Sequence, residues 1–221
     1  MGIRGDKMKK FLSGLFLGAI LSATIIGEVQ KVDEDRPDYT EDYEWSYDEV
    51  TQEELYEDAL KSVEDYLEEH PIDIKAMMYK AAILNEQDRS EEAIMLINEV
   101  LTLDLDNDVA LNNRGMYYNE LGLFRFGLED IEAAIGISGG TSQEYANKGN
   151  ALLGLERNEE ALEAYTMGLE IEPDNIFCLY GQGMIYKNKE KYEEAYELFG
   201  KAFMLNPEDD DYYYGVIHIG Y

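Results

Sequence analysis

The chain has 221 residues, with 18 basic and 48 acidic side chains and a formal net charge of -30 at pH 7. A field of that sign repels nucleic-acid phosphates and anionic lipid headgroups, which excludes nucleic acid as a partner and leaves basic or neutral protein segments; the same acidity also suits the solvated outside of a helical array. Cys178 is the only cysteine, so the chain has neither an internal disulfide nor a cysteine metal cluster.

At the N-terminus, Arg4, Lys7, Lys9 and Lys10 precede an uncharged run from Phe11 to Gly27. A basic start followed by an apolar run is the layout of an export signal, and its 17 residues also reach the lower edge of a bilayer span. Two outcomes stay open: a cleaved signal peptide over 1–27, giving a secreted or periplasmic protein, or membrane attachment retained through residues 11–27. Residues 28–50 form an acidic leader containing Pro37, expected to be weakly ordered. Its Tyr39, Tyr43, Trp45 and Tyr47 are expected to cover the first helix pair.

From residue 51 the pattern becomes helical and then periodic. Thr51 and Glu54 have capping-box spacing; Ala59, Leu60, Val63, Tyr66 and Leu67 make a helix-period apolar face, and Pro71 stops it. Beyond this half unit, a shift of 34 residues superimposes Gly115, Gly149 and Gly183, then Ala93, Gly127, Ala161 and Ala195, and then Pro173 and Pro207. A period of this length marks stacked supersecondary units that bury their core between neighbours. The units are 74–107, 108–141, 142–175 and 176–209, each two amphipathic helices joined by a short link that makes them antiparallel.

In the first unit Met77, Ala81 and Leu84 face Ala93, Ile94, Ile97, Val100 and Leu103, with Ser90 as the expected cap of the second helix. Leu111, Gly115, Tyr118, Phe124, Ile131, Ala134 and Ile137 repeat the frame. Gly127 costs about 1 kcal/mol relative to alanine inside a helix, a cost expected where two helices approach closely. Ser138 to Ser142, with its Gly139-Gly140 pair, reads as the least constrained junction and a candidate bend in an otherwise rigid array. In 142–175, Tyr145, Leu152, Tyr165 and Ile171 are expected to fill the space around Gly149 and Ala161, and Cys178 in the next unit reads as a small buried hydrophobe. That last unit pairs Leu179, Gly183 and Tyr186 with Tyr192, Ala195, Phe199, Ala202 and Leu205. The tail, 210–221, carries Tyr212, Tyr213, Tyr214, Val216, Ile217 and Ile219 and reads as a short cap over the last pair or a short extended segment, with docking on a membrane protein or another copy as the alternative.

The pattern resembles the tetratricopeptide repeat family over residues 74–207, with a partial unit before them. The resemblance rests on Tyr145, Gly149, Leu152, Ala161, Tyr165 and Pro173, and on Leu179, Gly183, Tyr186, Ala195, Phe199, Ala202 and Pro207. It implies an all-α fold, a right-handed superhelical solenoid of antiparallel helix pairs over 51–209. The family's leucine before the small residue of the first helix is missing: Lys80, Arg114, Lys148 and Gln182 stand there. Such arrays bind peptides or protein surfaces in a concave groove lined by first helices. That implies Met78, Ala82, Asn85, Asn112, Met116, Asn119, Ala146, Asn147, Asn150, Tyr180, Met184 and Lys187 as groove residues. The clamp some members use for a C-terminal carboxylate falls on Met78, Ala82, Asn112, Asn147 and Phe177, without its basic residues.

His70 and His218 are the only histidines, and no metalloprotease, phosphate-loop or nucleophile-elbow motif occurs. The expectation is therefore no enzyme, no cofactor and no metal. The chain reads as an extracytoplasmic adaptor or scaffold holding a basic or neutral protein segment. The alternative is a structural, self-associating component of an envelope assembly.

Overall fold

A computed structural model describes residues 51–207. The predicted export segment or anchor, the acidic leader and the tail lie outside the described residues. Among the described residues there are nine helices and no strand: α1 Gln52–Glu69, α2 Ile74–Glu86, α3 Ser90–Leu103, α4 Asp108–Glu120, α5 Phe124–Ser138, α6 Ser142–Gly154, α7 Asn158–Ile171, α8 Ile176–Asn188 and α9 Tyr192–Leu205. The chain divides into two compact units between Asp65 and Tyr66, within α1. In the first, Thr51 and Glu54 close the expected capping box: the Thr51 amide donates to Glu54 Oε2 at 2.7 Å and the Glu54 amide to Thr51 Oγ1 at 3.2 Å. The second unit holds the four helix pairs α2–α3, α4–α5, α6–α7 and α8–α9, each packed on the next.

The helix starts follow from two alternating local devices. Asp73, Asn107, Thr141 and Asn175 precede α2, α4, α6 and α8, and each side chain accepts from the amide three residues on, at Ala76, Ala110, Glu144 or Cys178. The second helices start differently. Asp88, Gly122, Glu156 and Glu190 adopt left-handed backbone with φ of 58°, 72°, 60° and 58°, and the next residue enters the helix with no side-chain cap. Ser90 is thus not a cap: it is the first, buried residue of α3, and Arg89 holds the capping place. Arg89 instead bonds both oxygens of Glu92, Arg157 pairs with Glu160, and Lys191 with Glu194.

Close approach of helices depends on the recurrent small residues. A Cβ on Gly115 would lie 2.9 Å from the Gly127 carbonyl, and one on Gly127 would lie 2.7 Å from the Gly115 carbonyl. Gly127 therefore sits where the sequence expected two backbones to meet. Tyr165, fully buried, is wedged between Gly149 of α6 and Gly181 of α8, and its hydroxyl donates to Asn150 Oδ1 at 2.7 Å. Cys178 is buried as expected, its thiol against Gly168.

Four predicted core residues are not in the core: Leu103, Ile137, Ile171 and Leu205 are exposed. Each follows by two residues Leu101, Ile135, Leu169 or Phe203, which are buried or half-buried. Two steps of about 100° turn it toward the opposite side of the helix. Tyr66 and Tyr192 are also exposed, Tyr66 stacked on His70. The expected bend at 138–142 is a tightly bonded corner. Gly139 and Gly140 take φ of 86° and 90°. Ser138 Oγ donates to Glu144 Oε2 at 2.8 Å, and the Thr141 amide donates to the same oxygen at 2.7 Å. Ser142 Oγ reaches the Gly168 carbonyl at 2.9 Å.

Three of the four polar residues that replace the family's leucine, Arg114, Lys148 and Gln182, have partners on the preceding second helix. Arg114 bonds Asn98 Oδ1 at 2.6 Å and grips both oxygens of Asp130 at 2.6 and 2.7 Å. Lys148 pairs with Glu132 at 2.8 Å, and Gln182 donates to Thr166 at 2.9 Å. Asn98, Glu132 and Thr166 occupy one place in successive units, so these contacts form a recurrent clasp between neighbours.

Candidate protein-binding face

The first helices lie side by side, α4 touching α6 and α6 touching α8. Residues spaced by four and three along each share one side of the helix. On α4 these are Asn112, Met116 and Asn119; on α6 Ala146, Asn150 and Leu153; on α8 Tyr180, Met184 and Lys187. The side chains divide into those used inside the protein and those that reach its surface.

The inward group centres on Asn147, only 3% exposed. Its Nδ2 donates to Asn112 Oδ1 at 3.0 Å, its Oδ1 accepts from Gln143 at 3.1 Å, and its carbonyl accepts from Asn119 Nδ2 at 3.1 Å. Asn147 therefore ties α4 to α6 and orients Asn112. The side-chain oxygen of Asn119, Oδ1, is buried without a hydrogen-bond partner and lies over Gly127 of α5, away from solvent. Asn85 Oδ1, one unit earlier, is likewise buried and unpaired. Ala146 is buried, and Tyr180 and Met184 are half-buried beside Phe199, the two rings of Tyr180 and Phe199 5.3 Å apart.

The outward group is smaller. Asn150 is exposed, its Oδ1 held by Tyr165, while Met78, Ala82, Met116 and Lys187 are half-buried. Two residues stand out beside the expected face: Val109, absent from the expected set, is 52% exposed, and Phe177, expected only as a clamp place, 48%. They occupy one place in the second and fourth units, where Lys75 and Gln143 stand in the others. The signal for Val109 was the same shift of 34 residues, applied to Phe177.

Comparison with known proteins fixes the kind of repeat. Tetratricopeptide repeat models match residues 142–175 and 176–209. Residues 142–209 are tetratricopeptide repeats. The curated TPR repeat-containing protein MJ1428 of Methanocaldococcus jannaschii is 28% identical over 110 residues, 50% of this chain and 19% of that protein. The chain spans about a fifth of the length of the first curated relatives it matches. Among solved structures, the thermophilic TPR protein TTC0263 of Thermus thermophilus superposes with a TM-score of 0.67 at 16% identity, over 74% of this chain and 90% of that one. YrrB, described as a TPR protein with an unusual peptide-binding site, gives 0.55 at 20% identity over 72% and 81%. The described helix pairs thus share the fold of tetratricopeptide solenoids.

Proposed function

We propose that the chain is a non-enzymatic protein–protein interaction module whose partner segment lies along the first helices α4, α6 and α8, against Met116, Asn150, Tyr180, Met184 and Lys187, with Val109 and Phe177 beside them. The observation that carries this reading is the pair of exposed apolar side chains, Val109 and Phe177, recurring at one place of a tetratricopeptide array. Apolar groups held on a rigid scaffold gain affinity when a partner covers them, at about 25 cal/mol per Å² of apolar surface removed from water. YrrB, of the same fold, is described as having a peptide-binding site. The reading keeps the adaptor outside the cytoplasm, delivered by the apolar run of residues 11–27.

A photo-crosslinking amino acid placed at Phe177, and separately at exposed Glu163 on α7, tests the face in the full chain in its native cell. Partner adducts at Phe177 and none at Glu163 are expected; equal yields at both would sink the proposal. A second reading, self-association, is favoured by the open side of α9, where Tyr196 and Met204 are 54% and 78% exposed. Sedimentation of the full chain and of a variant lacking 208–221 separates it from adaptor binding.

A further inference from the structure

The net charge of -30 favours a basic ligand only if the acidic groups face the ligand. Within the four helix pairs the acidic groups are concentrated on the second helices. The four first helices α2, α4, α6 and α8 carry four acidic and five basic side chains. The four second helices α3, α5, α7 and α9 carry thirteen acidic and two basic ones.

Four of the nine charges on the first helices are engaged locally. Glu144 is buried in its capping box with Thr141. Arg114 is taken by Asp130 and Asn98, and Lys148 by Glu132 on the preceding second helix. Asp108 sits in the first turn of α4, where the helix dipole favours it. The row formed by Val109, Met116, Asn150, Phe177, Tyr180 and Met184 contains no ionisable carboxylate or ammonium. Lys187 closes it on α8.

From this partition we infer that the segment bound on the first-helix face is uncharged and rich in aliphatic or aromatic side chains, and is not basic. A lysine or arginine pressed onto this row loses hydration and finds no carboxylate among the row's own residues. The acidic second helices lie behind the first-helix layer, and salt screens charges beyond about 8 Å at physiological ionic strength. An apolar side chain set on Val109, Phe177 or Met184 sheds water from both surfaces, and methionine adapts to its shape. Asn112 and Asn150 offer amide groups to a peptide backbone without adding charge. The acidity of the second helices then serves solubility.

This inference rests on the first-helix face as the binding face, and the test separates the two. A random peptide library displayed on phage is selected against the immobilised full chain, and a synthetic peptide from the winning set is titrated at about 0.05 and about 0.5 M NaCl, a range over which the screening length drops by roughly threefold. The expected peptides are poor in lysine and arginine, change affinity less than about twofold with salt, and lose at least about tenfold, or about 1.4 kcal/mol, on Phe177→Ser. Lysine- or arginine-rich winners whose affinity falls steeply with salt, yet still weaken on Phe177→Ser, overturn the inference and keep the face. Winners indifferent to Phe177→Ser, Val109→Ser and Met184→Ser overturn the face and this inference with it.

Discussion

Gly181→Ala in α8 and Gly200→Ala in α9 are the same substitution in two paired helices, and the structure predicts opposite signs. Replacing glycine by alanine inside a helix is worth about 1 kcal/mol in propensity. At Gly200 nothing lies within 4 Å of an added Cβ, so that gain is kept. At Gly181 the new methyl would overlap the ring of Tyr165. The ring has little room to shift: Gly149 also lies against it, the side chain is fully buried, and its hydroxyl is tied to Asn150. Overpacking of this kind costs about 1–3 kcal/mol, and the double wedge places it at the upper end. The expected net loss is about 2 kcal/mol for Gly181→Ala against a gain of about 1 kcal/mol for Gly200→Ala. Urea titration followed by far-ultraviolet circular dichroism reads both, and Tyr165→Leu in the Gly181→Ala background should recover part of the loss. Equal midpoint shifts for the two glycine variants would refute the packing of α6, α7 and α8 around Tyr165.

Asp88→Gly, Glu156→Gly and Glu190→Gly each relieve a left-handed backbone and should raise the thermal midpoint by the equivalent of about 0.5–1 kcal/mol; Gly122→Glu should do the reverse, and lowered midpoints for all three would count against these turns. Arg114→Met strands Asp130, whose side chain is 11% exposed, and should cost about 3–5 kcal/mol, most of it regained in Arg114→Met/Asp130→Leu. Calorimetry that finds single and double variants equally unstable would show that the pair is not what matters. Burial pushes the Cys178 thiol up to about 12, from an ordinary value of 9.0. The folded state therefore holds this proton more tightly than the unfolded one. Its contribution is full below the unfolded pKa and is lost as pH rises from there toward the folded value, at up to about 1.4 kcal/mol per pH unit. Urea midpoints of the protein and of Cys178→Ala between pH 9 and 10 check the sign, and the native thiol should resist an aromatic disulfide reagent at pH 8 until urea is added.

What was legible in the sequence is what neighbours in the chain decide. Capping residues, small residues at close approaches and terminators all recur by local chemistry, and the first helices begin at Ile74, Asp108, Ser142 and Ile176 as the frame required. What was not legible depends on the next unit in space. Lys148 and Gln182 looked like departures from a pattern until Glu132 and Thr166 appeared opposite them. Ser138 to Ser142 read as loose because glycines suggest freedom, whereas Glu144 gathers that corner through its bonds to Ser138 and Thr141. Asn147 has the composition of a surface residue, and only the arrival of Asn112 and Gln143 explains its burial. Net charge is a different case: a sum over the chain carries no information about which face holds it.

The clasps between units differ in kind, and this gives the array a direction. Across the seams Arg114 donates to the neutral amide oxygen of Asn98, Lys148 makes an ion pair whose carboxylate is 52% exposed, and Gln182 makes a neutral hydrogen bond. Salt screens the second and leaves the third alone. A ligand that must spread or tighten the row therefore meets seams of unequal give, with the softest one in high salt between α5 and α6. Units that look interchangeable in outline are not exchangeable in order: removing 108–141 would set Lys148 against Asn98 and discard its counter-charge. Each seam thus works as an address, recording which unit belongs next to which.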